Sequence, residues 1–269
     1  MDWTIAPRRR RLEGVRSTHR NGDGPNSVLG RALTVLTAFR LGDDELSLAE
    51  IVRRTGIAKA TVHRLVSELA EWQVVERSPG GGVRLGMRLF ELGQLVPRQL
   101  GLREAAVPFL ADLFEATHET IHLATPDGTE VVYVQKLEGR SGPRVPSRVG
   151  GRMPMHCTGV GKAILAFAPP ELLDDVLRAG LTRRAPRTII APGLLHAELA
   201  RIRERGVAYE REESGVGVTC VAAPVLDADG RALAALSITG WVNRFDAERL
   251  APAVRTAALG LTRALAVVR

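Results

Sequence analysis

Two cysteines, Cys157 and Cys220, are all that the 269 residues hold. A disulfide framework is not expected from so few, and a cytoplasmic protein is the default. No apolar run approaches the roughly 18 residues of a membrane span, so no membrane association is expected. The N-terminus, MDWTIAPRRRRLEG, is basic but has no apolar core behind it and does not read as a secretory signal. Lysine is nearly missing: Lys59, Lys136 and Lys162 stand among 37 basic residues, which compositional bias explains at least as well as function. Several chemical signatures are missing too. There is no G-x-S-x-G and no HExxH, and no supporting motif marks either cysteine as a nucleophile. His122, His156, Cys157 and Cys220 include no close-set ligand pair, and adjacent His156-Cys157 is poor geometry for one ion, so they read as core residues. CTGVGKAI resembles a phosphate loop but has His156 where the first Gly belongs and Ala163 where Ser or Thr belongs. No catalytic residue, metal or cofactor is expected.

What is present describes a globular protein. Apolar residues make 45% and charged residues 25% of a chain long enough for one large domain or two ordinary ones. The net charge of +7 is uneven: residues 1–100 hold 16 basic and 11 acidic side chains, residues 101–269 hold 21 and 19. The excess sits toward the N-terminal portion, which fits phosphate contact without proving it. Internal repeats are absent.

The segment Ser47–Leu69, SLAEIVRRTGIAKATVHRLVSEL, is the most informative. It reads as two short helices around a turn at Thr55-Gly56, the first opened by a capping box of Ser47 and Glu50. The second helix carries Ala58, Val62, Leu65, Val66 and Leu69 on one face, the stripe of a helix packed on one side. Its opposite face bears Ala60, Arg64, Ser67 and Glu71, with Lys59, Thr61 and His63 near its start. Polar donors at the N-terminal end and a dry back face suit the major groove of DNA. Before this pair, residues 1–26 read as a mobile basic tail; the Arg8–Arg11 run could touch DNA backbone or minor groove, but an ordinary solvated extension is the better reading, since charge runs are usually just solvated. Ser27 is a plausible cap for a helix packed on most of its surface through Val28, Leu29, Ala32, Leu33, Val35, Leu36 and Phe39. After the pair, Val74–Arg77 and Val83–Leu85 flank a Gly-rich turn as a hairpin. Three helices and a hairpin over residues 27–86 make a winged helix-turn-helix. Residues 87–118 are expected as a helical linker, broken near Pro97 and again near Pro108, with an apolar segment suited to a connector or a dimer surface.

Residues 119–269 are expected as a mixed α/β domain. Strands lie on both sides of a Pro-Asp-Gly turn within IHLATPDGTEVVYVQKLEG. Helices follow at Gly159–Phe167, Pro170–Ala179 and Pro192–Arg205. Strands come next at Val207–Arg211, Val218–Val225 and Ala232–Thr239, and a closing helix at Asp246–Val268.

Taken in order, these blocks resemble the IclR family of bacterial transcriptional regulators. At the N-terminal end the likeness rests on SVLGRALTVLTAF, LAEIVRRTGIAKATVHRLVSEL and VRLGMRLFELG. In the second domain it rests on RVGGRMPMHCTGVGKAILA, RERGVAYEREESGVGVTCVAAPVLDADG and ALSITG. It runs from about Ser27 to the C-terminus. The resemblance implies an α+β protein with a winged helix-turn-helix, a helical linker and a GAF-like effector-binding domain. It also implies a homodimer, often paired into a tetramer, acting on a palindromic operator in double-stranded DNA and responding to small organic acids or related metabolites. Two features depart from the family pattern: SGPRVPSRVGGR is Arg-rich, and the N-terminal tail is longer than the pattern needs.

Lys59, Ala60, Thr61, His63 and Arg64 are the candidate DNA contacts on the second helix, since Arg reads guanine bidentately and Lys and Thr suit phosphates. Arg77 and Arg84 flank the wing tip and suit backbone or minor groove, though an ordinary surface role is as good a reading there, as it is for Arg53 and Arg54. For the effector, Gly159 and Val160 stand at a helix N-terminus whose amides favour an anion. Ser237 and Thr239 alternate on one strand face. It is the family resemblance that implies Gly159, Val160, Glu210, Cys220, Ser237 and Thr239 around the effector, with Met153 as apolar wall; Asp is common where Glu210 stands, and the longer acid narrows the pocket. A polar cluster serving only the core is the competing reading. The leading expectation is a non-enzymatic regulator, in the main a repressor, whose operator binding a small anionic metabolite modulates. The alternatives are an enzymatic or metal-binding α/β domain with an accessory helix pair, or a ligand-independent DNA binder.

Overall fold

A computed structural model describes residues 27–140, 142, 143 and 147–267. The tail expected over residues 1–26 lies outside them. The chain divides into two compact units at Val96/Pro97.

The first unit begins with α1 (Val28–Thr37), capped by Ser27 Oγ, which accepts from the Gly30 N–H at 3.0 Å. Its packing is narrower than the sequence suggests. Val35 is its one fully buried residue, while Val28, Leu29 and Leu33 are exposed, Leu29 at 71%. Apolar composition says a face wants burial, and among the described residues nothing covers it. Next come α2 (Leu48–Thr55) and α3 (Lys59–Glu71). Gly56 joins them with φ +69°, a left-handed conformation that glycine takes without steric cost, and its N–H closes α2 on Val52 O at 2.8 Å. The capping box forms only by half. Ser47 Oγ accepts from the Glu50 N–H (3.1 Å), but the Glu50 carboxylate turns to Arg53 and Arg54, which hold it down to about 2. Arg54 also binds Asp43 and the Ala38 carbonyl (3.0 Å), so it ties α2 to the loop before it and is not a loose surface charge. The hairpin follows as β1 (Val75–Arg77) and β2 (Val83–Leu85), antiparallel with Arg77 opposite Val83. Leu46 bonds Val83 in both directions and extends this small sheet. Val35, Leu46, Ile51, Val62, Leu65, Val66, Val75 and Val83 form one core.

The segment expected as a helical linker with a break near Pro97 forms two helices that part at the unit boundary. Helix α4 (Met87–Gln94) belongs to the first unit and has no buried residue. Helix α5 (Pro97–Thr117) belongs to the second and runs unbroken through Pro108, where a break was expected. A mid-helix proline costs about 3 kcal/mol. Leu102, Ala106, Leu110 and Leu113, buried against the sheet, offset that cost.

The second unit is one six-stranded antiparallel sheet. Its strands are β3 (Thr120–Asp127), β4 (Glu130–Leu137), β5 (Arg152–Pro154), β6 (Ala208–Arg211), β7 (Val218–Leu226) and β8 (Ala232–Trp241), in the order β5-β4-β3-β8-β7-β6. Strand period 2 sorts the side chains to two faces. Ile121, Leu123, Val221, Val225, Leu236 and Ile238 face one core, closed by α5 and the C-terminal helix α9 (Ala247–Val267). Ala124, Tyr133, Cys220, Ala222 and Ala235 face the other. That core is closed by α6 (Gly159–Ala166), α7 (Pro170–Ala179) and α8 (Pro192–Arg205). Strand β5 and the 3₁₀ turn Met155–Cys157 were not foreseen from the sequence; three residues are too few for a periodic signal.

Candidate functional site

On the first unit, α3 presents the expected polar edge. Val62, Leu65 and Val66 are fully buried beneath it, whereas Ala58 sits before the first turn as an exposed cap with no side-chain bond. Its place in the apolar stripe is therefore corrected: the helix begins one residue later. Lys59, Ala60, His63 and Arg64 are exposed and Thr61 is half-buried. Arg64 Nη1 donates to Glu68 Oε1 (2.7 Å) one turn along. Arg77 Nη2 donates to Ser67 Oγ (3.0 Å), and Arg84 lies across the hairpin from Glu76 (2.7 Å). These solvent-facing pairs are weak, worth about 0–1 kcal/mol each, so a phosphate or a base edge can replace the partner. Arg64 and Arg77 both sit beside Ser67 or Glu68, which places the wing arginine next to the exposed face of α3.

On the second unit, the sheet's register assembles a different site. His122 pairs with Ser237 across β3 and β8, Thr239 with Cys220 across β8 and β7, and Cys220 with Glu210 across β7 and β6. All five point to the face that α6 covers. Helix α6 starts at Gly159, capped by Thr158 Oγ1, which accepts from the Gly161 N–H (3.2 Å). The first amides of a helix have no intrahelical acceptor, so those of Gly159 and Val160 face forward. A Cβ on Gly159 would lie 2.7 Å from Cys220 Sγ, so only glycine lets the helix end approach β7 this closely. Met153, on β5, closes the far side.

Together, Met153, Gly159, Val160, Glu210, Cys220, Ser237 and Thr239 line one small cavity with mostly buried walls, with His122, Tyr133, Ser147, Thr158, Ser214 and Val218. Those last six were not anticipated as site residues. For His122 and Tyr133 a signal existed, since alternation on β3 and β4 sets them on the cavity face; for Ser147 and Ser214, in loops, there was none. Larger grooves exist but are open. One of about 760 Å³ lies beyond β6 and shares Glu210 with the cavity. The space in the small cavity is about 30 Å³, room for one or two waters.

The cavity's polar groups are tuned by burial. His122 Nε2 meets Ser147 Oγ at 2.7 Å, and its Nδ1 lies 3.4 Å from Thr239 Oγ1 and 3.5 Å from Ser237 Oγ. Burial, helped by the charge of Lys136, pushes His122 down to about 3, so it is a neutral hydrogen-bonding group. The Cys157 and Cys220 thiols are pushed up to about 12 by burial first and then by Glu210. Burial likewise drives the Tyr133 hydroxyl upward. Glu210 Oε1 accepts from the Glu213 N–H (2.8 Å), the Ser214 N–H (3.0 Å) and the Ser214 hydroxyl (3.2 Å). Burial nevertheless outweighs these donors and lifts Glu210 to about 7.

Behind Glu210 lies a buried ion pair. Lys162, in the first turn of α6 and 1% exposed, donates to Glu213 and to the Tyr209 carbonyl (2.8 Å). Glu213 Oε2 is buried with no hydrogen-bond partner among the described residues. Among those residues no three His, Cys, Asp or Glu side chains group as a metal site.

Comparison with known proteins places both units. A family profile described as "IclR helix-turn-helix domain" matches residues 28–79, and one described as "Bacterial transcriptional regulator IclR C-terminal" matches residues 94–263. The HTH-type transcriptional regulator XynR of Escherichia coli is 36% identical over 240 residues, covering 87% of this chain and 95% of that protein. The transcriptional repressor IclR of the same organism is 30% identical over 232 residues, 84% of each chain. Among solved structures, an IclR homolog from Microbacterium hydrocarbonoxydans complexed with 4-hydroxybenzoate superposes with TM-score 0.82 at 31% identity, covering 89% of this chain and 99% of that one. The Thermotoga maritima IclR gives TM-score 0.75 at 32% identity, covering 88% and 98%.

Proposed function

The chain belongs to the IclR family of bacterial transcriptional regulators, and on that premise we propose that it is a cytoplasmic repressor, dimeric or tetrameric on a palindromic operator, released by a small organic acid. The observation that carries the ligand half is the cavity itself. Seven residues drawn from β5, α6, β6, β7 and β8 converge on one buried space. It offers two helix-end amides, hydroxyls at Ser237 and Thr239, and the neutral imidazole of His122, donors suited to a carboxylate and a second polar group. The relative holding 4-hydroxybenzoate makes a hydroxylated carboxylic acid the first class to try. Catalysis is not part of this reading: thiols pushed up to about 12 are not nucleophilic at neutral pH.

The size of the cavity supplies a mechanism. A space of about 30 Å³ is far below the roughly 300 Å³ at which ligand pockets begin. An acid of ten heavy atoms therefore enters only if α6, β5 and the β6–β7 turn draw apart. The ligand favours the widened form, and the operator favours the closed one. Two recognition helices one DNA turn apart, about 34 Å, tolerate little change in spacing.

Replacing Ser237 by Ala together with Thr239 by Val removes both strand hydroxyls at little cost in volume. Each lost bond to a charged group is worth about 1.5–3 kcal/mol, so the concentration of 4-hydroxybenzoate needed to release DNA is expected to rise at least tenfold in fluorescence anisotropy. An unchanged midpoint places the ligand elsewhere.

The dimer reading rests on α4, which carries Met87, Phe90 and Leu92 exposed and buries nothing. Phe90→Glu is expected to halve the mass seen by light scattering at micromolar concentration. A wild-type chain already monomeric there, or an unchanged oligomer in the variant, argues against α4 as the contact.

A further inference from the structure

Among the described residues, the cavity wall contains one carboxyl group, Glu210, and no Lys or Arg side chain. The cation behind it, Lys162, is committed to Glu213 and the Tyr209 carbonyl. Two carboxyls thus lie near one ammonium, which is bonded to Glu213 and reaches Glu210 only through its field, and with both ionised the cluster is negative by one charge. An organic anion entering the cavity brings a second negative charge and no cation. Buried charge without a counter-ion is expensive enough that the site neutralises by binding a proton instead.

Other ionisable groups face Glu210 without supplying that counter-charge. Tyr133 on β4, Cys157 on the 3₁₀ turn, Cys220 on β7 and His122 on β3 are uncharged at neutral pH. On the outer side, in the open groove, stand Glu198 and Arg205 of α8, Arg211 of β6, Arg244, and Asp246 and Glu248 at the start of α9. Arg205 is held by Glu198 (2.6 Å). Glu213 opposes the Glu210 charge and Lys162 favours it.

We propose that Glu210 is the proton-carrying group of this cavity, so that an anionic effector binds together with one proton, taken from solvent onto the Glu210 carboxyl. The proposal rests on the small-acid reading above. Its chemistry is balanced: carboxylate plus proton gives the carboxylic acid, and the ligand anion enters beside a neutral wall. Protonated Glu210 also gains an O–H with which to donate to the ligand. Effector release of the operator is thereby linked to pH, and acids bind better than their charge alone would permit.

The test uses the full chain and Glu210→Gln, with 4-hydroxybenzoate and its neutral amide as probes. Titration calorimetry in two buffers of different ionisation enthalpy should report uptake of about one proton per benzoate at pH 8. The benzoate Kd should rise about tenfold from pH 6 to pH 8, below the range in which the probes' phenol groups ionise, and stay flat from pH 5.5 to pH 6, where Glu210 is already protonated. The amide, and Glu210→Gln with benzoate, should show neither proton uptake nor slope. Benzoate binding without proton uptake overturns the proposal and leaves the small-acid reading intact.

A ligand-free arm decides the matter even if neither probe binds, a result that counts against the benzoate-like effector alone. Glu210 has its folded value raised above the unfolded one, to about 7 from 4.5. The folded chain keeps a proton there that the unfolded chain has lost. Stability therefore falls as pH rises from about 4.5 to about 7 and is level above. The wild-type melting temperature should drop by several degrees relative to Glu210→Gln between pH 5 and pH 8. A constant difference means that Glu210 holds no proton near neutrality, and the proposal fails.

Discussion

Arg64→Ala is expected to lower affinity for the operator about a hundredfold or more, with the fold intact. Arg64 is exposed on α3, and its one described partner is Glu68, one turn along, at 2.7 Å. Losing that pair costs the chain at most about 1 kcal/mol. On DNA the same guanidinium is the α3 side chain best suited to a guanine edge. A bidentate contact of that kind is worth about 1–3 kcal/mol. A two-fold symmetric dimer uses it twice, so both half-sites lose together. Binding to unrelated DNA, carried by phosphates, should weaken far less. The measurement is a gel shift at physiological salt against operator and random sequence, with circular dichroism as the folding control. Wild-type operator affinity in the variant removes Arg64 from the reading helix's contacts. Arg77→Ala is the informative companion. If the wing touches only backbone, that variant reduces affinity for both DNAs alike and shallows the salt dependence.

The second large effect is on stability. Lys162→Met is expected to destabilise the effector-binding unit by about 3–5 kcal/mol, the cost of breaking a buried ion pair from one side. Methionine fills the space of the lysine stem, so the loss is not a cavity effect. It leaves the Glu213 carboxylate buried with neither Lys162 nor a partner for Oε2, which already lacks one. Burial already pushes the Glu213 carboxyl upward, with Lys162 holding it back. The double variant Lys162→Met, Glu213→Leu removes both charges and should recover most of the loss, since a buried pair replaced by apolar groups is often neutral or better. Denaturant unfolding of the three chains decides it. A double variant as unstable as the single one means that the lysine matters through packing or through the Tyr209 carbonyl, not through Glu213.

Much of the first unit was legible from local pattern. The α3 stripe needs only period 3.6, and Ser27, Ser47 and Gly56 mark helix ends by chemistry that acts over three or four residues. Errors came where one local signal met a competing partner. Glu50 was expected to complete a capping box, but two arginines one turn along offered it charge-assisted bonds instead. Pro108 was expected to break a helix, yet the apolar row from Leu102 to Leu113 holds the helix on the sheet across it.

Of the cavity, the sequence supplied residue types and the family pattern supplied their grouping. Neither contained the lining by His122, which lies 117 positions from Thr239, or the pairing of Lys162 with Glu213 across 51 positions. Lys162 in particular looked like part of a failed phosphate loop.

By itself, then, the sequence determined most of the longer elements, the caps at Ser27, Ser47 and Gly56, and the dry side of α3 and of the long strands, but not β5, the 3₁₀ turn or how little of α1 is buried. What it determined are properties of neighbours within one or two turns, and short-range sterics and hydrogen bonding settle them. Only the tertiary structure decided that His122, Tyr133, Ser147 and Ser214 join that buried space, how small it is, and that the lysine behind it is bonded to Glu213 and not to Glu210. Sheet register and helix approach bring together residues that no local rule relates, and charge balance exists only once they have met.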